Sequence, residues 1–235
     1  MSADRTRLER GVALITVLLV ASLVFVAGLG LTLLVTIGQL VARNHRDAAV
    51  LRAAADGAIE LAADGLAVDD WQAVLGGWLV GSGADGAPTG VRVVDAQLID
   101  LDAETSLLNC GRREACSPAE RAANTLARPW GANNPSWQLY LFGPLSTFVP
   151  LRFAATTYVL VWVADDSRET DGRPDLDGGN DPGRHILRAR AMAVDRDGAR
   201  RVVEAELVRV CLEGRPACEP GIRVQSQREI RHALP

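Results

Sequence analysis

The residues best suited to chemistry in this sequence form an acidic stretch in the second half of the chain. Residues 165–181 hold seven Asp and Glu side chains among turn-forming Gly, Pro and Asn. Carboxylate oxygens on a turn-rich loop are ligands that Ca²⁺ prefers, so the stretch predicts a calcium site. The alternative is a solvated loop, because Asp also favours turns. The candidate ligands are Asp171, Asp175, Asp177 and Asp181.

The acidic stretch matches only part of an EF-hand loop. Asp175, Asp177 and Gly178 have the spacing of that motif, but Ile186 stands where it requires a bidentate Glu. Any calcium site in this chain is therefore of another kind.

Four cysteines, spaced as two close pairs, predict disulfide bonds. Cys110 and Cys116 are separated by five residues, and Cys211 and Cys218 by six. Two local loops suit these spacings, but four cysteines allow three pairings, so crossed pairing stays open. A zinc site is the alternative, although it prefers cysteines two to four residues apart. Disulfides also require that this part of the chain lies in an oxidising compartment.

Motifs for catalysis are absent from the sequence. His45, His185 and His232 are isolated, and the motifs of serine hydrolases, zinc proteases and phosphate-binding loops do not occur. We therefore expect no enzyme activity. A net charge of -4 also gives no broad basic surface for nucleic acid. The five tryptophans are expected to anchor the core or loops rather than a ligand.

The N-terminal region contains one long apolar run. Val12 to Val35 spans 24 residues without a charge, and only Thr16, Ser22 and Thr32 interrupt it. About 20 helical residues cross a hydrocarbon core of ~30 Å, so residues 12–42 are predicted to be a transmembrane helix. The run is too long for a cleaved secretory signal. Arginines before it place the N-terminal arm in the cytoplasm, and the head, residues 69–235, outside.

Helical character continues beyond the apolar run. Residues 43–68 are Ala-rich and lack proline, and they carry apolar residues at spacings of three and four. Such spacing places one apolar stripe along a helix. We expect this amphipathic continuation to pack against the head. The stripe consists of Leu51, Ala55, Ile59, Ala62 and Leu66.

The head has the pattern of an α+β fold. The turn-rich segment 81–90 is followed by a predicted strand at 91–101, and residues 109–150 are predicted to be irregular apart from a helix at 118–126. Three further strands are predicted at 156–163, 185–194 and 199–210. The sequence therefore predicts a long N-terminal helix packed on a small antiparallel sheet.

The last two predicted strands form a hairpin of defined register. A three-residue loop, 196–198, with Gly198 in the left-handed conformation places Arg190 opposite Glu204 and Arg188 opposite Glu206. On the other face, leucine then pairs with leucine, alanine with alanine, and alanine with valine. The hairpin is therefore predicted to have one apolar face and one charged face.

The N-terminal residues also resemble a known family. Residues 9–20, ERGVALITVLLV, resemble the type III signal of the pilin superfamily, and specifically of PilX-type minor pilins. The Ala-rich stretch 53–60 and the hairpin segment 200–205 are similar to the same group. The resemblance implies cleavage by a prepilin peptidase between Gly11 and Val12. Residues 1–11 would then be a leader.

The resemblance further implies a fold, a location and partners. The expected fold is type IV pilin-like. The protein would be inserted once in a bacterial inner membrane with its head in the periplasm, and would later join a pilus at the cell surface. Its partners would be other minor pilins, the major pilin, the inner-membrane assembly platform and a PilY-type tip adhesin. The implied function is a structural subunit that primes or caps pilus assembly.

One residue departs from the pattern of major pilins. They have Glu at the fifth mature position, where this sequence has Thr16. The K-type pseudopilin of type II secretion lacks that Glu as well, and it is the second interpretation, although that family usually has a larger head with an inserted helical domain, for which the head here is short. A single-pass anchored envelope binding protein is the third.

Overall fold

The structure is a computed structural model, and it describes residues 3–81, 85–127, 135–149, 157–168, 173, 175, 177, 185–211 and 220–230. Side chains are described from residue 14 onward, except for those of 125–127, 211 and 220. The chain divides into two compact units, Met1–Ala48 and Ala49–Pro235.

The elements of secondary structure alternate between helices and strands. In chain order they are α1 (Ala3–Leu66), α2 (Trp71–Leu75), β1 (Val91–Val94), β2 (Gln97–Asp100), α3 (Leu101–Cys110), α4 (Pro118–Ala127), β3 (Gln138–Pro144), α5 (Leu145–Phe148), β4 (Tyr158–Asp165), β5 (Ile186–Val194), β6 (Arg200–Cys211) and β7 (Pro220–Ile230). The fold class is α+β, as the sequence predicts.

The main sheet has five antiparallel strands in the order β3-β4-β5-β6-β7. Each neighbouring pair is antiparallel, and the pairings of β3 with β4 and of β6 with β7 each contain a register shift. Strands β1 and β2 form a separate two-stranded hairpin. We call the side of the main sheet that faces α1 the inner face, and the side that faces α3 the outer face.

The C-terminal part of α1 packs on the inner face through the predicted stripe. All five stripe residues are exposed by 2% or less, which confirms the prediction. They share one apolar cluster with residues of β3 to β6, and small side chains on both surfaces allow the helix and the sheet to approach closely. The small residues of the sheet are Ala189, Ala191, Ala193 and Ala205.

A second apolar cluster lies on the outer face, below α3 and the β1–β2 hairpin. It includes Phe142 and Trp162 from the sheet, Trp137 just before β3, and Leu101 from α3. Because the sheet is covered on both faces, every residue of β4 is buried. The inner and outer clusters together form the core of the second unit.

The predicted register of the β5–β6 hairpin is confirmed. Arg190 pairs with Glu204 and Arg188 with Glu206, while Leu187, Ala189 and Ala191 pair with Leu207, Ala205 and Val203 on the inner face. The loop closes with Asp195 N–H donating to the Ala199 carbonyl at 3.1 Å, and Gly198 has a φ of 82°. Glycine adopts this left-handed conformation without the steric cost that a side chain adds.

The prediction of a single strand over 91–101 is wrong. The chain reverses after Val94, where Asp95 has a φ of 52°, and continues as β2. Leu101 already belongs to α3, because the Asp100 carboxylate accepts a hydrogen bond from Ala103 N–H at 3.0 Å and caps that helix. Apolar residues continue to alternate with polar ones through the turn. The turn is therefore not visible in the hydrophobic pattern of the sequence.

The prediction of irregular structure over 109–150 is also wrong in part. Helix α4 is confirmed within two residues, but β3 lies in the same region and was not predicted. Residues 139–143 of β3 are all buried, and a strand buried on both faces has no period of two in its hydrophobicity. Strand β7 was not predicted because its sequence, PGIRVQSQREI, is mostly polar.

Two glycines of α1 give a matched test of helix packing. A Cβ at Gly57 would meet no atom within 4 Å, whereas a Cβ at Gly65 would lie 2.4 Å from the hydroxyl oxygen of Tyr140. We expect Gly57→Ala to raise the free energy of unfolding by about 0.5–1 kcal/mol, because alanine favours the helix. Gly65→Ala should lower it by about 1–3 kcal/mol, because Tyr140 is buried and must move.

Urea unfolding followed by tryptophan fluorescence measures both changes. Tyr140 donates a hydrogen bond of 2.6 Å to Asp69, which the displaced ring would lose. Adding Tyr140→Phe should therefore cost less in the Gly65→Ala background than in the wild type. Equal effects of the two Gly→Ala changes would contradict this packing.

Candidate functional site

The N-terminal part of α1 exposes an apolar surface. Large apolar side chains from Leu14 to Val41 are 49–71% exposed, and residues 11–42 contain no charge. Among the described residues, α1 is the one helix long and apolar enough to cross a membrane, a property that a secretory signal sequence shares. This surface is the first candidate site, because water is a poor environment for it.

Hydroxyl groups within the apolar segment bond to the backbone of the same helix. Ser22 donates to the Leu19 carbonyl, Thr32 to the Gly28 carbonyl and Thr36 to the Thr32 carbonyl, each at 2.9 Å. In a hydrocarbon environment a polar group needs an internal partner. The segment meets this requirement at these three positions, so it is compatible with a single-pass membrane anchor.

The residues predicted for processing and assembly lie on this helix. Gly11 and Val12 have helical backbone, and Thr16 is exposed one turn further on. Cleavage between Gly11 and Val12 and the role of Thr16 stay predictions. The first charged side chains after the apolar segment include Arg43, which forms an ion pair of 3.7 Å with Asp47.

One of the two predicted local disulfides is present. Cys110 ends α3 and bonds to Cys116, which lies just before α4. Gly111, in the left-handed conformation with a φ of 69°, caps α3 between them. Cys211 ends β6 by its backbone, but its side chain and Cys218 lie outside the described residues, so their pairing stays a prediction.

The structure describes two of the four candidate calcium ligands. Asp175 forms an ion pair of 3.2 Å with Arg173, and Asp177 accepts a hydrogen bond of 2.7 Å from His185 N–H. Asp171 and Asp181 lie outside the described residues. Within the described part of the chain, groups of three potential metal ligands do not occur. The calcium site therefore stays a prediction.

Three arginines on the outer face share one carboxylate. Glu204 accepts hydrogen bonds from Arg188, from Arg190 at 2.5 Å and from Arg228 at 2.8 Å, and its side chain is only 5% exposed. Arg188 faces Glu206 in the register but reaches diagonally to Glu204. Glu206 instead pairs with Arg168 at 2.8 Å.

The arginines determine the ionisation of Glu204. Burial raises the pKa of this carboxyl, but hydrogen bonds and charges of the surrounding arginines outweigh burial and lower the pKa from 4.5 to about 2. Glu204 is therefore ionised at neutral pH. An unpaired charge at such a buried position would be costly, so the arginines and Glu204 depend on each other.

A buried tryptophan supports two of these arginines. The guanidinium carbons of Arg190 and Arg188 lie 4.7 and 5.7 Å from the centre of a Trp137 ring. Asn109 of α3 fixes the Trp137 backbone, with its side chain accepting from Trp137 N–H and donating to the Trp137 carbonyl, both at 2.9 Å. The sequence does not predict this support, because its local patterns indicate neither α3 nor β3.

A second buried carboxylate ties α3 to the sheet. Glu104 is 3% exposed and pairs with Arg200 of β6 at 2.6 Å and with Arg113 at 3.2 Å. Thr105, the next residue, accepts a hydrogen bond of 2.9 Å from the indole N–H of Trp162. These contacts hold α3 on the outer face beside the arginines that bind Glu204.

The described tryptophans are mostly structural, as expected from the sequence. Trp71, Trp137 and Trp162 are buried, whereas Trp78 is 84% exposed. Trp130 lies outside the described residues.

Comparison with protein-family models, with curated proteins and with solved structures found no match. The α+β class and the apolar helix therefore follow from this structure alone.

Substitution of Glu204 should alter stability in a pH-dependent way. Because folding lowers the pKa of Glu204, its stabilising effect is complete above about pH 4.5 and disappears as the pH falls towards 2. Glu204→Gln should thus cost about 3 kcal/mol at pH 7, and this cost should shrink below pH 4.5. The measurement is urea unfolding from pH 7 to 2.

Glu206→Gln is the matched control. Glu206 lies on the same face of β6, but its side chain is 32% exposed, so the change should cost less than 1 kcal/mol. A Glu204→Gln cost that is independent of pH would contradict the role of the ionised carboxylate.

Proposed function

We propose that this chain is a minor pilin, a membrane-inserted structural subunit that primes or caps assembly of a type IV pilus. One observation carries the proposal. Helix α1 combines an exposed, uncharged apolar segment with an Ala-rich stripe that packs on an antiparallel sheet. A helix that only anchored a protein would not need to continue into the core of its soluble part.

The N-terminal sequence supports this proposal independently. Residues 9–20 resemble the signal that prepilin peptidase cleaves, with Gly11 before the proposed bond. In this proposal the mature chain begins at Val12, crosses the inner membrane once and holds its head in the periplasm. The Cys110–Cys116 disulfide suits that oxidising compartment.

Thr16 supports a position at the end of the fibre. In the superfamily, Glu at the fifth mature position is thought to attract the amino terminus of a neighbouring subunit within the apolar bundle. An unpaired charge is costly there, and Thr16 carries no charge with which to form this pair. A subunit without the carboxylate suffers no disadvantage if it begins the fibre. We therefore propose a tip or priming role at low copy number.

The K-type pseudopilin remains the second candidate, because the structure contains a helical insertion. Helices α3 and α4 lie between β2 and β3, and the Cys110–Cys116 disulfide joins the end of α3 to the segment before α4. A helical insertion in the head is what that resemblance implies, although this one contains only two helices among the described residues. In that case the subunit would begin a secretion pseudopilus rather than a pilus.

The proposed partners follow from assembly. They are prepilin peptidase, the inner-membrane platform, other minor pilins, the major pilin and a PilY-type tip adhesin. We propose no catalytic activity.

Processing should depend on Gly11. We expect Gly11→Leu to leave the chain at full length in the inner membrane, because the resemblance requires a minimal side chain at the cleaved bond. Mass spectrometry of the N-terminus, in cells that contain a prepilin peptidase, is the measurement.

Gly28→Leu is the matched control for processing, since a Cβ at Gly28 meets no atom within 4 Å. That variant should be cleaved normally and begin at Val12. A wild-type chain that keeps residues 1–11 would refute the proposal and favour an anchored envelope protein.

The position in the fibre should depend on Thr16. We expect labelled wild-type protein at single foci on fibre ends, and deletion should reduce the number of fibres rather than their length. Thr16→Glu supplies the missing carboxylate and should allow some incorporation along the shaft. Immunogold electron microscopy measures both, and wild-type label spaced regularly along the shaft would exclude the tip role. Loss of secretion with normal pili would indicate the K-type alternative.

A further inference from the structure

The outer face of the main sheet carries a row of alternating charge that ends at the sheet edge. Arg190 of β5 pairs with Glu204 of β6, and Glu204 pairs with Arg228 of β7. Residues paired in this way lie side by side on one face of a sheet. Arg228 is therefore the last member of the row, and its side chain is 71% exposed.

Strand β7 forms an edge of the main sheet. It pairs with β6 on one side, and among the described residues no strand pairs with its other side. A strand at a sheet edge presents N–H and C=O groups to which an extended peptide can add. Because β7 has 11 residues, it offers a long template for such a peptide.

The charge of the row is not balanced. Arg188, Arg190 and Arg228 share Glu204, while the neighbouring Glu206 is paired with Arg168 and with Ser226. Among the described residues, the ion pairs of the outer face form three groups, around Glu104, Glu204 and Arg168, and together these groups contain more arginines than carboxylates. The arginines are Arg113, Arg168, Arg188, Arg190, Arg200 and Arg228, and the carboxylates are Asp166, Glu104, Glu204 and Glu206.

Arg228 has donors to spare among the described residues. A guanidinium group carries five N–H donors, and Arg228 uses Nη2 to reach Glu204. Arg188 and Arg190 are held by Glu204 and by the Trp137 ring, so the positive charge beside Arg228 is fixed in place. An added strand would place one of its side chains beside Arg228 on the outer face, and a carboxylate there would continue the alternation.

We propose that β7 binds an extended peptide segment of a partner protein by strand addition, and that Arg228 selects an acidic residue in that segment. Hydrogen bonds from the backbone of β7 provide affinity for the peptide. The charge row determines the register in which the peptide binds and selects its acidic residue. A basic residue at the same position would face surplus positive charge and be rejected. This inference concerns the head and does not depend on which fibre the subunit serves.

A peptide-binding experiment tests the proposal with the full chain in detergent micelles. The probe is a fluorescent heptapeptide, Thr-Val-Thr-Glu-Thr-Val-Thr, blocked at both ends, with a second version that has Lys in place of Glu. Fluorescence anisotropy should show that the Glu peptide binds at least about tenfold more tightly than the Lys peptide, as expected for a charge-assisted contact. Methylating alternate backbone nitrogens of the Glu peptide should abolish binding.

Charge reversal provides the decisive variant. Arg228→Glu should reverse the preference, so that the Lys peptide binds more tightly. The fold should survive, because Arg188 and Arg190 still neutralise Glu204, and an unchanged melting temperature checks this. Arg223→Glu is the matched control, since Arg223 is an exposed residue of the same strand but pairs with Val208. It should leave the preference for Glu unchanged.

Four results would overturn the proposal. They are no binding of the Glu peptide, equal affinity for the Glu and Lys peptides, undiminished binding of the methylated peptide, and an equal effect of Arg223→Glu and Arg228→Glu. The last would show that the net charge of the protein, rather than the row, attracts the peptide.

Discussion

Burial of the α1 stripe against the inner face of the sheet is the contact on which the second unit depends. A stripe residue stands at almost every turn from Leu51 to Leu66, and each is nearly inaccessible to solvent. The helix can approach closely because the facing strands offer alanines where larger residues would hold it away. The sheet must therefore keep those alanines on its inner face. This requirement determines the face on which each of the remaining residues of β5 and β6 lies.

The register of the β5–β6 hairpin therefore decides the chemistry of both faces together. A shift of β6 by one residue against β5 would move Ala205 away from α1 and bring Glu204 towards it. The loop with Gly198 prevents that shift, because its closing hydrogen bonds define which residues face each other. As a result, a three-residue loop sets the inner packing surface and the outer charge row. The row extends to β7, where it meets a free sheet edge among the described residues.

Local patterns in the sequence predict this part of the fold well. The α1 stripe has a helical period, and the hairpin has a turn motif with charge pairs, so both follow from residues close in sequence. β3 and β7 were missed for opposite reasons, since β3 is buried on both faces and β7 is polar at the edge. The grouping of three arginines on Glu204 was missed because Arg228 comes from β7 and Trp137 lies just before β3. Such a site depends on packing between segments that are distant in the sequence. The spacing of residues within one segment cannot predict that packing.

The shared carboxylate also limits how this protein can change over evolution. A substitution of Glu204 alone leaves Arg188, Arg190 and Arg228 close together without a counter-ion. Loss of one arginine is milder, because the other two still hold the carboxylate. The row can therefore be lost readily only in one order, in which Arg228 changes first and Glu204 changes later, together with Arg188 or Arg190. Homologues that diverge here are expected to have lost the charge at 228 before that at 204, and to change 188 or 190 in step with 204.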